Sequence, residues 1–159
     1  MTEKEQRGFE DLDCYKLALQ VFKEAYRVAK SLPPEEKYNL AQQMRRAATS
    51  IVLNIAEGYG RYHYLDSLRF YYYARGSLSE TLSAFILCDE AHYAQGELPG
   101  QRDLCYNALR TLNGYIRYVR AQQQGSQEYG NRAIHEEHAL YDTSFTEGSE
   151  SADIVSPVP

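Results

Sequence analysis

Apolar side chains recur at steps of three and four residues along four stretches of this chain, each about 20 to 30 residues long. That spacing places the apolar side chains on one face of an α-helix. No stretch alternates apolar and polar residues with the period of two that is typical of a β-strand. Short connections between long helices favour antiparallel neighbours. The pattern therefore predicts an all-α protein, an antiparallel up-down-up-down four-helix bundle.

Two consecutive prolines separate the first two predicted helices. The first helix is marked by a heptad stripe made of Leu12, Tyr15, Leu19, Phe22, Tyr26 and Ala29. Pro33 and Pro34 end this helix, because a proline lacks the helical N–H donor and restricts the residue before it. Pro34 is expected at the first position of the second helix. The apolar face of the second helix consists of Leu40, Met44, Ala47 or Ala48, Ile51 and Ile55. Gly58 and Gly60 mark its end.

The third and fourth predicted helices are separated by a segment that contains Gly96 and Pro99. The third helix begins near Tyr64, and its stripe is formed by Leu68, Tyr72, Arg75, Ser79, Leu82 and Ile86. Its apolar face is widened by Leu78, Phe85 and Leu87. Gly96 closes this helix and Pro99 opens the fourth. The stripe of the fourth helix is formed by Cys105, Leu109, Leu112, Ile116 and Val119. Gly125 ends the periodic part of the chain.

Charge is divided unequally along the chain. Residues 1–124 contain 16 Lys and Arg against 15 Asp and Glu, whereas residues 125–159 contain one Arg and seven acids, which gives the chain its net charge of −5. The acidic part is rich in Gly, Ser and Glu, and it has too few apolar residues to offset the entropy of ordering. We therefore predict a flexible N-terminus at residues 1–9, the four-helix bundle at 10–124, and an acidic, disordered tail at 125–159.

The chain shows the features of a cytoplasmic protein. No apolar run approaches the roughly 18 residues that are needed to span a membrane, and the polar N-terminus has no apolar core of a secretory signal. Cys14, Cys88 and Cys105 are an odd number and lack a CxxC spacing. We expect them to be reduced thiols packed inside the helices.

Residues typical of catalysis or metal binding are not found at the required spacings. A di-iron bundle needs Glu-x-x-His pairs on two helices, whereas the nearest approach here is the single pair of Asp89 and His92. His135 and His138 in the tail lack the HExxH spacing of a zinc protease. The sequence therefore predicts no metal site, no cofactor and no enzymatic activity.

Two of the helices carry polar residues that an amphipathic helix does not require: Arg46, Asn54, Glu57, Arg75 and Glu80. Asn54, Glu57 and Arg75 lie on consecutive helices joined by a short turn, so we expect them to meet near one end of the bundle. An unpaired buried charge is costly, which favours a Glu57–Arg75 ion pair completed by Asn54. This network would fix the helix register or a subunit contact. The alternative, a catalytic carboxylate, lacks a nucleophile or second acid at a useful spacing.

The stretches QQMRRAATSIVLNIAEGYGR (Gln42–Arg61) and RFYYYARGSLSE (Arg69–Glu80) resemble a known family. It comprises small four-helix-bundle proteins encoded within intervening sequences of bacterial 23S rRNA genes, and it is similar to the accessory proteins of diversity-generating retroelements. The resemblance extends from Phe9 to Gln123. It implies a homo-oligomer, with a pentameric ring as the leading expectation, and no established enzymatic activity. It also implies that the small residues Gly76, Ser77 and Ser79 serve helix packing and oligomer contact.

Aromatic and basic residues alternate between residues 59 and 75. Six tyrosines lie there, namely Tyr59, Tyr62, Tyr64, Tyr71, Tyr72 and Tyr73. Aromatic rings stack on unpaired bases and arginines bind phosphates, so Arg61 and Arg69, with Arg45 and Arg46 on the second helix, are candidate RNA- or DNA-binding residues. Tyrosines are also enriched at protein interfaces, and residues 1–124 lack the strong positive charge of a nucleic-acid binder.

Two hypotheses about function remain. The first is a non-catalytic, oligomer-forming interaction protein. The second, which the resemblance implies, is a nucleic-acid-binding accessory factor that acts with rRNA or with a reverse transcriptase. Clustering of the four arginines on one exposed face would favour the second hypothesis.

Overall fold

The computed structural model describes residues 8–93 and 98–126, and these residues form a bundle of four α-helices. The helices are α1 (Asp13–Ser31), α2 (Leu40–Tyr59), α3 (Tyr64–Glu90) and α4 (Pro99–Gln122). Each helix packs against the next, and α4 packs back against α1, which closes the bundle. The predicted all-α four-helix architecture is confirmed. Among the described helices, none combines the length and the apolar character needed to cross a membrane.

The buried side of α1 differs from the predicted stripe. The buried residues are small, namely Cys14, Ala18, Val21, Ala25, Val28 and Ala29. Of the predicted stripe only Ala29 is buried; the larger Leu12, Tyr15, Leu19 and Phe22 are half-buried, and Tyr26 is exposed. Neighbouring rows on one helix share the same spacing of three and four, so periodicity alone does not distinguish them. The small side chains lie inside because they allow close helix packing, and the large ones cover the sides of the contact.

The start of α2 also differs from the prediction. Pro34 opens a short 3₁₀ helix, Pro34–Tyr38, and α2 itself begins at Leu40. The Glu36 carboxylate accepts hydrogen bonds from the backbone N–H of Leu40 (3.1 Å) and from Asn39 Nδ2 (2.9 Å). These bonds satisfy a helix-terminal donor and lower the pKa of Glu36. The predicted face of α2 is confirmed, since its members are buried except for Leu40, which is half-buried.

The core rows of α3 and α4 are confirmed only in part. Buried residues of α3 are Ser67, Leu68, Tyr71, Ala74, Leu78, Thr81, Leu82, Ala84, Phe85 and Cys88. The predicted members Tyr72, Arg75 and Ile86 are half-buried, and Ser79 and Leu87 are exposed. In α4, Cys105, Leu112 and Ile116 are buried as predicted, Ala108 joins them, and Leu109 and Val119 are half-buried. Helix α4 begins at Pro99 as predicted, whereas Gly96 lies outside the described residues.

A glycine allows α2 and α3 to approach closely at one end of the bundle. The ring of Tyr71, which is buried, lies against the Cα of Gly58. A Cβ atom at position 58 would lie 2.6 Å from Cε1 of that ring, closer than van der Waals contact allows. Gly58 therefore belongs to the helix packing, and Gly60 occupies the C-cap position of α2.

The three cysteines are free and buried, as expected from their positions. Burial disfavours the charged thiolate and raises the pKa of Cys14 and Cys88 to about 11 and the pKa of Cys105 to about 12. The thiols therefore act as small apolar core residues at neutral pH.

Both ends of the described chain pack at the same end of the bundle. Phe9, in the 3₁₀ helix Gly8–Asp11, makes edge-to-face contacts with Tyr15 and Tyr59. At the other terminus the backbone N–H of Tyr64 donates to the carbonyl of Gln124 (3.0 Å). Gly125, with φ of +76°, packs so closely on the imidazole of His63 that a Cβ would overlap Nδ1. Residues 1–7 of the predicted flexible segment 1–9, and residues 127–159 of the predicted disordered tail 125–159, including His135 and His138, lie outside the described residues.

Candidate interaction surfaces

Helices α2 and α3 are joined by polar contacts on their outer side. Ser77 Oγ donates a hydrogen bond to Ser50 Oγ (2.8 Å), and Arg46 forms an ion pair with Glu80 (3.8 Å). Asn54 Nδ2 donates to both the carbonyl and the hydroxyl oxygen of Ser50. Asn54, Ser50 and Ser77 thus form a short hydrogen-bonded chain across the two helices. Ser77 therefore takes part in the contact between α2 and α3, while its implied role in oligomer contact stays a prediction, and Asn54 acts in this chain of hydrogen bonds rather than in a charged network.

The expected ion pair between Glu57 and Arg75 is not formed, because Glu57 pairs with Arg61, four residues further along the chain. The side chains of Glu57 and Arg61 are about half exposed. The guanidinium of Arg75 lies over the ring of Tyr72, at 4.8 Å from its centroid. Ser77 points toward α2, and Arg75, two residues earlier, is rotated by about 200° around α3. Arg75 therefore points away from α2, which is why the two predicted partners do not meet.

Large apolar side chains are exposed on the outer side of α2 and α3. Leu53 is 63% exposed, Tyr73 53% and Leu87 54%. Gly76 lies among them, and a Cβ at that position would meet no atom within 4 Å. We call this surface the α2–α3 face; it consists of Arg46, Leu53, Tyr73, Gly76, Glu80 and Leu87. Leu53 was not predicted to be functional, because it falls outside the core row of α2.

A shallow groove of about 520 Å³ borders the α2–α3 face on the side of α1. Its lining consists of Tyr26, Gln42, Arg45, Arg46, Thr49, Ser50, Leu53 and Asn54. Arg45 Nη2 donates to the backbone carbonyl of Ala29 (3.2 Å), and the hydroxyls of Tyr26 and Thr49 are hydrogen-bonded at 3.1 Å. Arg45 therefore ties α2 to α1, and this contact occupies part of its hydrogen-bonding capacity.

The four arginines proposed to bind nucleic acid do not gather on one face. Arg45 points toward α1 and Arg46 toward α3. Arg61 lies past the end of α2, whose last residue, Tyr59, is about 20 Å beyond Arg46 along the helix. Arg61 packs over the ring of Phe70, and a hydrogen bond with Tyr73 raises the pKa of the nearby Arg69. The arrangement that would favour nucleic-acid binding by all four residues is therefore absent.

The tyrosines between residues 59 and 75 are also divided. Tyr71 is a core residue, in edge-to-face contact with Tyr115. Tyr64 and Tyr72 are half-buried, whereas Tyr59, Tyr62 and Tyr73 are exposed. A smaller set therefore remains at the end of the bundle where α2 meets α3. We call it the turn cluster: Tyr59, Arg61, Tyr62, Arg69 and Tyr73.

Asp89, considered above as half of a metal-ligand pair, holds the connection between α3 and α4. Its Oδ1 accepts a hydrogen bond from the backbone N–H of Leu98 (2.9 Å), and its Oδ2 pairs with Arg102 (3.3 Å). His92 takes a left-handed backbone conformation with φ of 54° just after the helix. In the described part of the chain, no three His, Cys, Asp or Glu side chains come together in a way that could hold a metal ion.

Charge differs between the two halves of the bundle. Helices α1 and α4 together contain eight Lys and Arg against three Asp and Glu, a net charge of +5. Helices α2 and α3 contain four Arg against five acids, a net charge of −1. The α2–α3 face is therefore close to neutral, whereas the opposite half of the bundle is basic.

The fold and surfaces define a closed four-helix bundle whose distinctive residues lie on outer helix faces. A family model, "23S rRNA-intervening sequence protein", matches residues 10–113, and the chain belongs to this family. A crystal structure from Bacteroides thetaiotaomicron VPI-5482, described as a protein with unknown function from the S23 ribosomal protein family, is similar to this chain. The two share 18% identity with a TM-score of 0.50, over 69% of this chain and 96% of the other. At that identity the likeness shows the fold alone. No match was found among curated proteins.

Proposed function

We propose that this protein is a non-catalytic interaction protein that self-associates through the α2–α3 face. The observation that carries the proposal is the exposure of Leu53, Tyr73 and Leu87 on one nearly neutral surface. Apolar side chains exposed together mark interaction sites more often than solitary ones do. Burying these side chains removes apolar surface from water, and this favours association by about 25 cal/mol of free energy per Å² of buried apolar area.

Charge and shape both support this face over the other half of the bundle. Two copies meeting through α1 and α4 would bring together surfaces of net charge +5, whereas α2 and α3 carry only −1. Like charges brought together across an interface oppose association. Gly76 has open space above its Cα, so a neighbouring helix can approach the backbone there.

The cysteines of the described chain support a non-catalytic role. The thiols of Cys14, Cys88 and Cys105 are buried and have raised pKa values, which makes them poor nucleophiles at neutral pH. Glu36 and Asp89 serve the fold, since Glu36 binds the start of α2 and Asp89 binds the α3–α4 connection.

The substitution Leu53→Asp tests the proposal. Leu53 is exposed in the single chain, so the variant should keep its helical content and thermal stability while the mass in solution falls toward the 18.3 kDa of one chain. Tyr106→Asp, on the outer side of α4, is the matched control, because Tyr106 is also about half exposed. Its mass should equal that of the unmodified protein. A Leu53→Asp variant with unchanged mass, or a Tyr106→Asp variant that dissociates equally, would contradict the proposal.

A second candidate function, binding of single-stranded RNA, is favoured by the turn cluster. Tyr59, Tyr62 and Tyr73 are exposed, and Arg61 and Arg69 lie beside them. Stacking of a base on an aromatic ring contributes about 1–3 kcal/mol. Because Arg61 is also paired with Glu57, only part of its charge serves a phosphate.

Fluorescence anisotropy with a labelled single-stranded RNA tests this second candidate. The double variant Tyr62→Ala with Arg69→Ala should weaken binding at least tenfold, in keeping with the loss of about one stacked base and one phosphate contact. Tyr38→Ala with Lys37→Ala removes an exposed aromatic ring and a cation from the 3₁₀ helix Pro34–Tyr38 and should leave the affinity unchanged. Equal losses in both double variants would reject a specific role for the turn cluster.

A further inference from the structure

A straight row of exposed polar side chains, four of the five cationic, follows the outer side of α1. It consists of Lys16, Gln20, Lys23, Arg27 and Lys30, which recur at steps of four and three and are all exposed. The row covers 14 residues, which corresponds to about 21 Å along the helix. Its acidic neighbours are few, since Asp13 lies 3.8 Å from Lys16 and Glu24 pairs with Arg27 at 2.7 Å. The outer side of α1 therefore keeps an excess of positive charge.

Helix α4 extends this basic surface. From Leu104 to Gln122 it contains three arginines and no acid, and Arg110 and Arg117 are exposed on its outer side. A groove of about 580 Å³ lies between α1 and α4; Gln20, Lys23, Glu24, Arg27, Gly100, Gln101 and Leu104 line it. We call the row on α1 together with Arg110 and Arg117 the α1–α4 face. It lies on the half of the bundle away from the α2–α3 face.

The chain itself contains a segment of complementary charge. Residues 127–159 contain seven acids and one arginine, a net charge of −6, while α1 and α4 together carry +5. This segment continues directly from α4, which is half of the basic surface. Gly125 packs against His63, and Gln124 accepts a hydrogen bond from Tyr64, so the point where the segment leaves the bundle is fixed.

The length of the segment is sufficient to reach the whole α1–α4 face. Its 33 residues span more than about 100 Å when fully extended, whereas the 24 residues of α4 measure about 36 Å. Covalent attachment also gives the segment an effective concentration in the millimolar range at this surface. A separate polyanion in solution must compete with the segment at that effective concentration.

We propose that the α1–α4 face is the docking surface of the chain's own acidic segment, residues 127–159. The contact is one of opposite charges, held by Lys16, Lys23 and Lys30 with the arginines of α1 and α4, and it needs no defined conformation of the segment. It shields the basic half of the bundle from other polyanions, including nucleic acid. This inference does not depend on self-association through the α2–α3 face.

Zero-length carbodiimide cross-linking of the full chain tests the docking directly, because it joins only carboxylates and amines that are in contact. Three of the five lysines lie in the row on α1, and Lys37, in the 3₁₀ helix after α1, is an exposed internal control. Mass spectrometry should find the acids of residues 127–159 joined to Lys16, Lys23 or Lys30 and not to Lys37. These cross-links should disappear at about 1 M NaCl, where charges are screened beyond about 3 Å. Cross-links spread equally to Lys37, or insensitive to salt, would overturn the proposal.

Affinity for immobilised heparin, a polyanion probe, gives a second and independent measurement. A full-length variant whose seven acids in residues 127–159 are replaced by the corresponding amides should elute at clearly higher salt than the unmodified protein. Adding Lys23→Gln and Lys30→Gln to that variant should reverse the shift, whereas adding Lys37→Gln should not. An unchanged elution after neutralising the seven acids would mean that the segment does not cover the face. If a nucleic acid of defined sequence bound the α1–α4 face equally well with and without those acids, the proposal would also be overturned.

Discussion

Gly58 shows how a single residue sets the distance between two helices. The ring of Tyr71 occupies the space where a Cβ at position 58 would lie, at 2.6 Å from the nearest ring carbon. We predict that Gly58→Ala destabilises the protein by about 1–2 kcal/mol. Overpacking costs about 1–3 kcal/mol, and the better helix propensity of alanine returns at most about 1 kcal/mol of that. Urea unfolding of the variant measures the change.

Gly76 provides the opposite case on the neighbouring helix. It lies in the interior of α3, and a Cβ there would meet nothing within 4 Å. Gly76→Ala should therefore stabilise a single chain by about 0.5–1 kcal/mol, because alanine restricts the unfolded state more than glycine does. If both glycine variants shifted the free energy of unfolding in the same direction, the close contact of Gly58 with Tyr71 would not be the cause.

The buried thiols predict a loss of stability at alkaline pH. Cys14, Cys88 and Cys105 have folded-state pKa values of about 11, 11 and 12, above the usual value of 9.0. Below pH 9 the thiols are protonated in both states, so their burial causes no pH dependence. Above pH 9 they ionise first in the unfolded state, and each lowers the free energy of unfolding by up to about 1.4 kcal/mol per pH unit until the folded pKa is reached.

Chemical unfolding at about pH 8 and about pH 10 checks this prediction, with linkage giving the expected slope. The free energy of unfolding should fall between the two pH values. Cys105→Ala, which removes one of the three groups, should make the fall less steep. An identical slope in the variant and the unmodified protein would show that the thiol of Cys105 titrates normally.

The limits of sequence reasoning are clearest at this residue scale. The sequence shows which residues are apolar, but it does not show which of two adjacent apolar rows on α1 faces the core. Small residues such as Ala18 and Ala25 are fully buried, although their low hydrophobicity makes them inconspicuous in a pattern. Their burial depends on how close the neighbouring helix comes, which is a property of the assembled bundle.

At the scale of helices, the pairing of polar residues depends on rotation around each axis. Glu57, in the last turn of α2, pairs with Arg61, which lies two residues past the end of that helix. The pair with Arg75 was expected from proximity in the chain, but about 200° of rotation separates Arg75 from the side of α3 that carries Ser77. Ser77 does reach across to α2, where it bonds to Ser50, whereas both hydrogen bonds of Asn54 go to Ser50 within α2.

A double-mutant cycle tests this assignment. We predict a coupling energy near zero between Glu57→Ala and Arg75→Ala. Between Glu57→Ala and Arg61→Ala we expect a coupling of about 0.2–1 kcal/mol, typical of an exposed ion pair. Thermal or urea unfolding of the single and double variants supplies the values. A coupling above about 1 kcal/mol for Glu57 with Arg75 would show that the two side chains meet in solution.

The number of helices and most of their boundaries followed from the sequence, because long amphipathic stretches and prolines are strong local signals. Pro99 opens α4 and Tyr64 opens α3, as predicted. Pro34 does not open α2, because Glu36 and Asn39 stabilise a separate 3₁₀ helix before it. Such a connection is set by individual hydrogen bonds, which the periodicity of apolar residues does not encode.

At the scale of the whole molecule, the bundle has two unlike sides. The side formed by α2 and α3 is nearly neutral and exposes Leu53, Tyr73 and Leu87, whereas the side formed by α1 and α4 is basic. Counted along the chain, residues 1–124 carry a net charge of only +1. The basic side appears only when charges are counted for each pair of neighbouring helices. That count requires knowing which helices are neighbours in the bundle.

The most direct test of this account is hydroxyl-radical footprinting of the full chain at increasing protein concentration, with the mass in solution measured in parallel. The account predicts a mass above the 18.3 kDa of one chain, and five times that mass if the family resemblance extends to a pentamer. As the assembly forms, Leu53, Tyr73 and Leu87 should become protected from oxidation, while Tyr106 and Tyr118 on α4 should stay as reactive as in the single chain. A single-chain mass at every concentration, or protection of Tyr106 and Tyr118 in place of Leu53 and Tyr73, would contradict it.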